Sequence, residues 1–92
     1  MEMILGQGDS MKGLFGHGDP IQVDTSVRSF NGDGVYVFRV GEDEFIRSLQ
    51  SIPSEGIRVI ASNPNYKKWT ITNKMDFEVL GKVVRAWEGQ VL

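Results

Sequence analysis

The sequence predicts a mostly β domain, a compact antiparallel structure of barrel-like or two-sheet form. Glycine- and proline-marked breaks recur along the chain, at residues 6–9, 16–20, 31–34, 41–42, 53–56 and 63–65. The runs between them are short and rich in β-branched and aromatic residues. Helical periodicity is almost absent.

Taken in order, the expected strands are residues 2–5, 21–24, 35–40, 44–51, 57–61, 69–72 and 77–87. The third and fourth are separated by a short loop containing Gly41, which is hairpin spacing. The last is long for one strand, so a bend or bulge is expected near Gly81. Residues 10–15 have room for a single helical turn, with Asp9 or Ser10 as its N-cap. There is no internal repeat and no low-complexity segment, and residues 1–92 read as one domain.

Composition narrows the function. The chain is 40% hydrophobic and 24% charged, which is ordinary for a globular protein and unlike a disordered tail. At 92 residues the core is thin, so partner contacts are expected to add stability. With no cysteine, a disulfide framework, a thiolate nucleophile and a thiolate metal site are excluded. Ten Lys+Arg stand against twelve Asp+Glu, giving a formal charge of -2. A module that grips nucleic acid by neutralising phosphates carries a basic surplus or stripe. None is present, so direct DNA binding by these residues is not expected. No apolar run reaches the roughly 18 residues of a membrane span, and the N-terminus does not read as a signal peptide. A cytoplasmic location is expected.

Two segments carry recognisable chemistry. One is Gly8-Asp9-Ser10-Met11, followed by Gly18-Asp19 and Val23-Asp24. The other is Phe45-Ile46-Arg47-Ser48-Leu49-Gln50, followed by Ser62-Asn63-Pro64-Asn65-Tyr66. Their ordered set resembles the C-terminal peptidase-like domain of LexA, UmuD and phage repressors, a family of self-cleaving serine peptidases. That family has a Gly-Asp-Ser-Met type loop, a Gly-Asp…Val-Asp strand, a Val-Lys-Arg-Leu type hairpin strand and an Asn-Pro-x-Tyr turn. The similarity runs from about Gly6 to Trp87.

The resemblance implies a catalytic pair, with Ser10 in the nucleophile position and Arg47 where the family has its lysine. A serine hydroxyl needs a base to take its proton. A buried lysine can serve once desolvation lowers its pKa. Backbone N–H groups at the serine turn would stabilise the oxyanion. An arginine is a different matter. Its guanidinium stays protonated, and neutralising it at pH 7 costs roughly 7–8 kcal/mol. Arg47 is therefore not expected to act as general base, and the pair reads as broken. Lys12, Lys67, Lys68, Lys74 and Lys82 offer poorer contexts for a base than the apolar hairpin around Arg47.

Plainer readings stand beside these. Ser10 alone would be a turn or N-cap serine, and Arg47 a strand arginine facing solvent or a carboxylate. His17 is a lone loop histidine with no ligands at metal spacing. The segment Asn31-Gly32-Asp33-Gly34 fails as a calcium loop, because Ser29 would be its first ligand and Val40 would stand where a glutamate is required. The glycine pairs around Gln7 and His17 match no phosphate or dinucleotide fingerprint. No cofactor, metal or small-molecule ligand is expected.

The resemblance implies the oligomerisation and regulatory domain of a repressor. A homodimer is expected, with DNA contacted only through an N-terminal helix-turn-helix domain not contained in these residues. The apolar stretch 77–92 is the expected dimer surface. The family's cleavage bond, Ala-Gly or Ala-Cys, does not occur in the chain. The competing expectations are an active self-cleaving peptidase carrying an engineered Lys→Arg change, a signal-peptidase relative, and a plain β-barrel binding module.

Overall fold

The computed structural model describes residues 1–86. The expected strands form as β1 (Glu2–Leu5), β2 (Pro20–Asp24), β3 (Gly34–Val40), β4 (Asp43–Ile52), β5 (Gly56–Ile60), β6 (Trp69–Ile71) and β7 (Phe77–Arg85). They join in one continuous sheet of order β1-β2-β7-β3-β4-β5-β6. Every neighbouring pair is antiparallel. The bounds differ from expectation by a residue at most ends, and Trp87 lies outside the described residues. The expected helical turn within residues 10–15 is instead a non-helical turn, closed by the Phe15 N–H donating to the Met11 carbonyl at 3.1 Å, because Gly13 inside it adopts φ 102°.

The two-layer character arises inside this single sheet. Side chains alternate between the faces of a strand, and in β3 both faces are covered. Val35, Tyr36, Val37 and Phe38 are all buried. Val35 and Val37 pack into a first core with Met11, Phe15, Ile21, Val23, Val83 and Ala86. Tyr36 and Phe38 enter a second, with Leu49, Val59, Ile71 and Val79. The Phe38 ring stacks on Phe45 and meets Phe77 edge-on, at centroid distances of 5.5 and 5.8 Å. The Tyr36 hydroxyl accepts from the Asn31 N–H at 3.1 Å and shares its proton between Asn31 Oδ1 and the Gly32 carbonyl. The 31–34 segment, which fails as a calcium loop, is thus the polar end of a buried tyrosine.

β7 serves both cores by means of a bulge. Val37 pairs with Gly81 and Phe38 with Val79, which leaves Leu80 as the extra residue. The inserted residue inverts the alternation, so Val79 faces the second core while Val83 faces the first. A side chain at Gly81 would run into Val23 Cγ1 and come within 3.2 Å of the Asp24 carbonyl. This is why a glycine sits where β2 and β7 approach most closely. Outside the cores, Arg39 on β3 links to β7 and its preceding turn through Glu78 at 2.9 Å and Asp76 at 3.2 Å.

The expected dimer surface needs correction. β7 lies between β2 and β3 with both edges paired. Its apolar side chains pack into the two cores, so the length and hydrophobicity of Phe77–Arg85 are accounted for inside the sheet. Residues 87–92 of that stretch lie outside the described residues.

Truncating Phe38 to alanine is expected to lower stability by about 3–5 kcal/mol in denaturant unfolding, because the site is walled by other rings and cannot collapse. Gly81→Ala is expected to cost about 1–3 kcal/mol by overpacking against Val23.

Candidate active site

The β1–β2 connection carries the candidate serine. Gly8 adopts φ 65°, a left-handed conformation that glycine takes without strain, and it lets the chain turn sharply into Asp9 and Ser10. Immediately after the turn, Met11 and Phe15 insert into the first core. Ser10 is thereby pinned beside a buried anchor, and is itself 3% exposed. The far side of the connection is tied off locally. Asp19 Oδ2 accepts from the Gly16 N–H at 2.8 Å, and the Gly18 N–H donates to the Gly6 carbonyl at 2.8 Å. His17 has a definite task here, since its Nδ1 accepts from the Gly8 N–H at 3.2 Å. Nothing in the sequence spacing assigned it that partner.

The second motif arrives from the turn after β5. The Asn63 N–H donates to the Ser10 carbonyl at 3.0 Å, and Asn63 Nδ2 donates to the Asp9 carbonyl at 3.0 Å. Ser62 Oγ donates to the Lys12 carbonyl at 2.9 Å, and the Tyr66 hydroxyl to Asp9 Oδ1 at 2.7 Å. Asn63 is 5% exposed, and its own Oδ1 is used by the Asn65 N–H at 3.0 Å. The Ser-Asn-Pro-Asn-Tyr segment is therefore a clamp that holds the backbone carbonyls of Asp9, Ser10 and Lys12 and the side chain of Asp9. Its role lies beyond sequence spacing because the partners are 50 or more residues apart.

Arg47 comes from β4, whose residues Asp43–Leu49 pair with β3 and whose residues Ser48–Ile52 pair with β5. Between Glu44 and Arg47 the edge of β4 opposite β3 has no strand neighbour among the described residues. A pocket of about 480 Å³ opens along this edge, with Ser10, Arg47, Phe45, Ile46, Ile4 and Tyr66 among its lining residues. Ser10 and Arg47 thus share one pocket, and no lysine lines it. Lys67, Lys68 and Lys74 are exposed. Lys82 is engaged elsewhere, with Nζ 5.3 Å from the Tyr36 ring centroid and 3.2 Å from Asn31 Oδ1.

The guanidinium is half-buried between two aromatic faces, with Cζ 5.5 Å from the Phe45 ring and 5.5 Å from the Tyr66 ring. Nη1 donates to the Ile46 carbonyl at 2.9 Å. Burial pushes the Arg47 pKa down, opposed by its interaction with Tyr66. A downward shift from so high an ordinary value still leaves the group cationic near neutral pH. The pocket therefore offers a hydroxyl and a fixed cation, and no neutral base. Among the described residues, no cluster of His, Cys, Asp or Glu is arranged to hold a metal ion.

Two measurements test the clamp. Asn63→Ala removes the Nδ2 donor to the Asp9 carbonyl and the Oδ1 acceptor of the Asn65 N–H while keeping the backbone bond to Ser10, and is expected to cost roughly 1–3 kcal/mol, with faster amide exchange confined first to residues 8–12. The Tyr66 phenol is held above its ordinary value chiefly by its bond to Asp9. A raised acid pKa means that this contact stabilises below pH ~10 and is lost as pH climbs through the raised value. Asp9→Asn should move the Tyr66 titration, followed by ultraviolet absorbance, back down.

The chain matches the family described as Peptidase S24-like over residues 3–84. It is also 36% identical over 86 residues to the 26 kDa repressor protein of Escherichia phage HK022. That alignment covers 91% of this chain and 36% of the relative, so the chain spans about a third of that protein's length. A family match over nearly the whole sequence, together with the sheet just described, settles the assignment. The chain belongs to the peptidase S24-like family.

Proposed function

We propose that this chain is the regulatory and oligomerisation domain of a phage-type repressor in which the Ser-Lys self-cleavage site is disabled by Arg47. The observation that carries the reading is the company Ser10 keeps. The residue sharing its pocket is a permanently charged arginine set between two rings, and no lysine lines the pocket. The serine loop retains its full clamp, so what is missing is the base and not the scaffold. The repressor name of the phage relative, and that relative's greater length, support a larger protein whose DNA-binding part precedes residues 1–92. The acidic balance of this chain agrees with leaving DNA contact to another domain. Such a repressor would work in the cytoplasm as a homodimer, matching a two-fold operator. Among the described residues, no helix is long and apolar enough to cross a membrane.

In a chain extended by its native upstream segment, the unaltered protein is expected to remain intact from neutral to alkaline pH. Arg47→Lys should yield Ser10-dependent fragments as pH approaches the ordinary lysine value of about 10. Fragmentation of the unaltered protein that disappears in Ser10→Ala overturns the disabled-site reading. Sedimentation should show a concentration-dependent dimer, and a monomer at high concentration removes the oligomerisation role.

A further inference from the structure

The Ser10–Arg47 pocket has lost a base and gained a fixed cation, and that exchange creates a binding chemistry of its own. A guanidinium has five N–H donors. One is used by the Ile46 carbonyl. The salt bridges among the described residues involve Arg28 and Arg39, and none involves Arg47. Among the described residues, the only other charged group lining the pocket is Glu44, an exposed residue that forms no ion pair with Arg47. Asp9, close by, is engaged by the Tyr66 hydroxyl. A half-buried cation without a counter-charge is costly, and an incoming anion relieves that cost. The rings of Phe45 and Tyr66 each lie 5.5 Å from the guanidinium carbon, and the planar fork of a guanidinium favours the two parallel hydrogen bonds that a carboxylate accepts. Ser10 supplies a further hydroxyl at the same pocket. Around these polar groups the wall is apolar, formed by Ile4, Leu5, Val37 and Ile46.

We propose that this pocket binds a small apolar carboxylate, its carboxyl group on Arg47 and Ser10 and its apolar part against Ile4, Val37 and Ile46. The ligand chemistry is that of a peptide C-terminus with an apolar last residue, or of a short free acid. The inference rests on the reading of Arg47 as a permanent cation in a non-cleaving site, and it departs from the sequence-based expectation of no small ligand. It gives the retained pocket a use, because occupancy would neutralise Arg47 and brace the Gly8–Ser10 turn.

The test is a titration of the 92-residue chain with N-acetyl-leucine, N-acetyl-leucinamide, hexanoate and inorganic phosphate. Amide NMR shifts and the Arg47 side-chain Nε–H signal are followed. The carboxylates are expected to move the signals of Gly8, Ser10 and Arg47 and to bind roughly 10- to 100-fold more tightly than the amide, as hydrogen bonds to an ionised partner imply. A preference for N-acetyl-leucine over hexanoate assigns the site to peptide termini, and the reverse assigns it to free acids. Equal binding of acid and amide overturns the proposal, as does phosphate binding as tightly as the carboxylates. So does the absence of any shift. Arg47→Gln should abolish the response, and the acid–amide comparison on the unaltered protein stands even if that variant fails to fold. Because the readout is binding, a negative result leaves the non-cleaving reading intact. Cleavage of the unaltered protein tells against that reading separately.

Discussion

The structure depends on one strand being buried on both faces. β3 must satisfy its backbone through β7 on one side and β4 on the other while its side chains fill two separate cores. A single sheet can do this only if its two halves curl toward opposite faces. The N-terminal half, with β1, β2 and the Met11–Phe15 turn, covers one face. The C-terminal half, with β4, β5 and β6, covers the other. The bulge at Leu80 follows from the same requirement, since β7 accompanies β3 across the change of core. Gly81 follows in turn, because β2 presses against β7 at that point.

The candidate site is a by-product of this curl. β4 leaves β3 to join β5 halfway along its length, and the segment before the departure keeps an open edge. The serine turn is fastened opposite that edge by Met11 from beneath and by Asn63 and Tyr66 from the side. The hydroxyl and the guanidinium therefore meet in a pocket whose walls belong to both halves of the chain. The chemistry available there is set by charge. A lysine in Arg47's place could be emptied of its proton by burial, whereas the guanidinium responds to burial only by losing part of a very large margin.

Much of this was legible in the sequence, for physical reasons that differ from element to element. The strands were legible because β3, β4 and β7 are dense in Val, Ile and Phe and are bounded by turn residues. The bulge was legible because a glycine in the middle of a long apolar strand weakens it, and is kept where the strand bends or another backbone presses close. The family motifs brought Ser10 and Arg47 forward together, and the two do line one pocket. Within the stretch 77–92, the part Phe77–Arg85 was misread because hydrophobicity alone does not distinguish a strand buried by its own chain from one waiting for a partner. β7 is the first kind. The clamp by Asn63, the task of His17 and the aromatic cradle of Arg47 were hidden because each depends on side-chain direction, and the clamp also on a long sequence separation. One sheet satisfying two cores was equally hidden, since a local pattern records alternation and not which way a sheet curls.

The Asn63 clamp also has a consequence for time and not only for place. Residues 9–12 are synthesised before the groups that fasten them, which lie 50 or more residues later. Contacts that close so long a loop are slow to form. Until β5 and the turn beyond it have been made, the serine loop has Met11 and its own local hydrogen bonds but lacks the donors that Ser62 and Asn63 bring to the Asp9, Ser10 and Lys12 carbonyls. A growing chain would therefore carry the candidate serine well before it carries the pocket, and any chemistry there would wait on the completed fold.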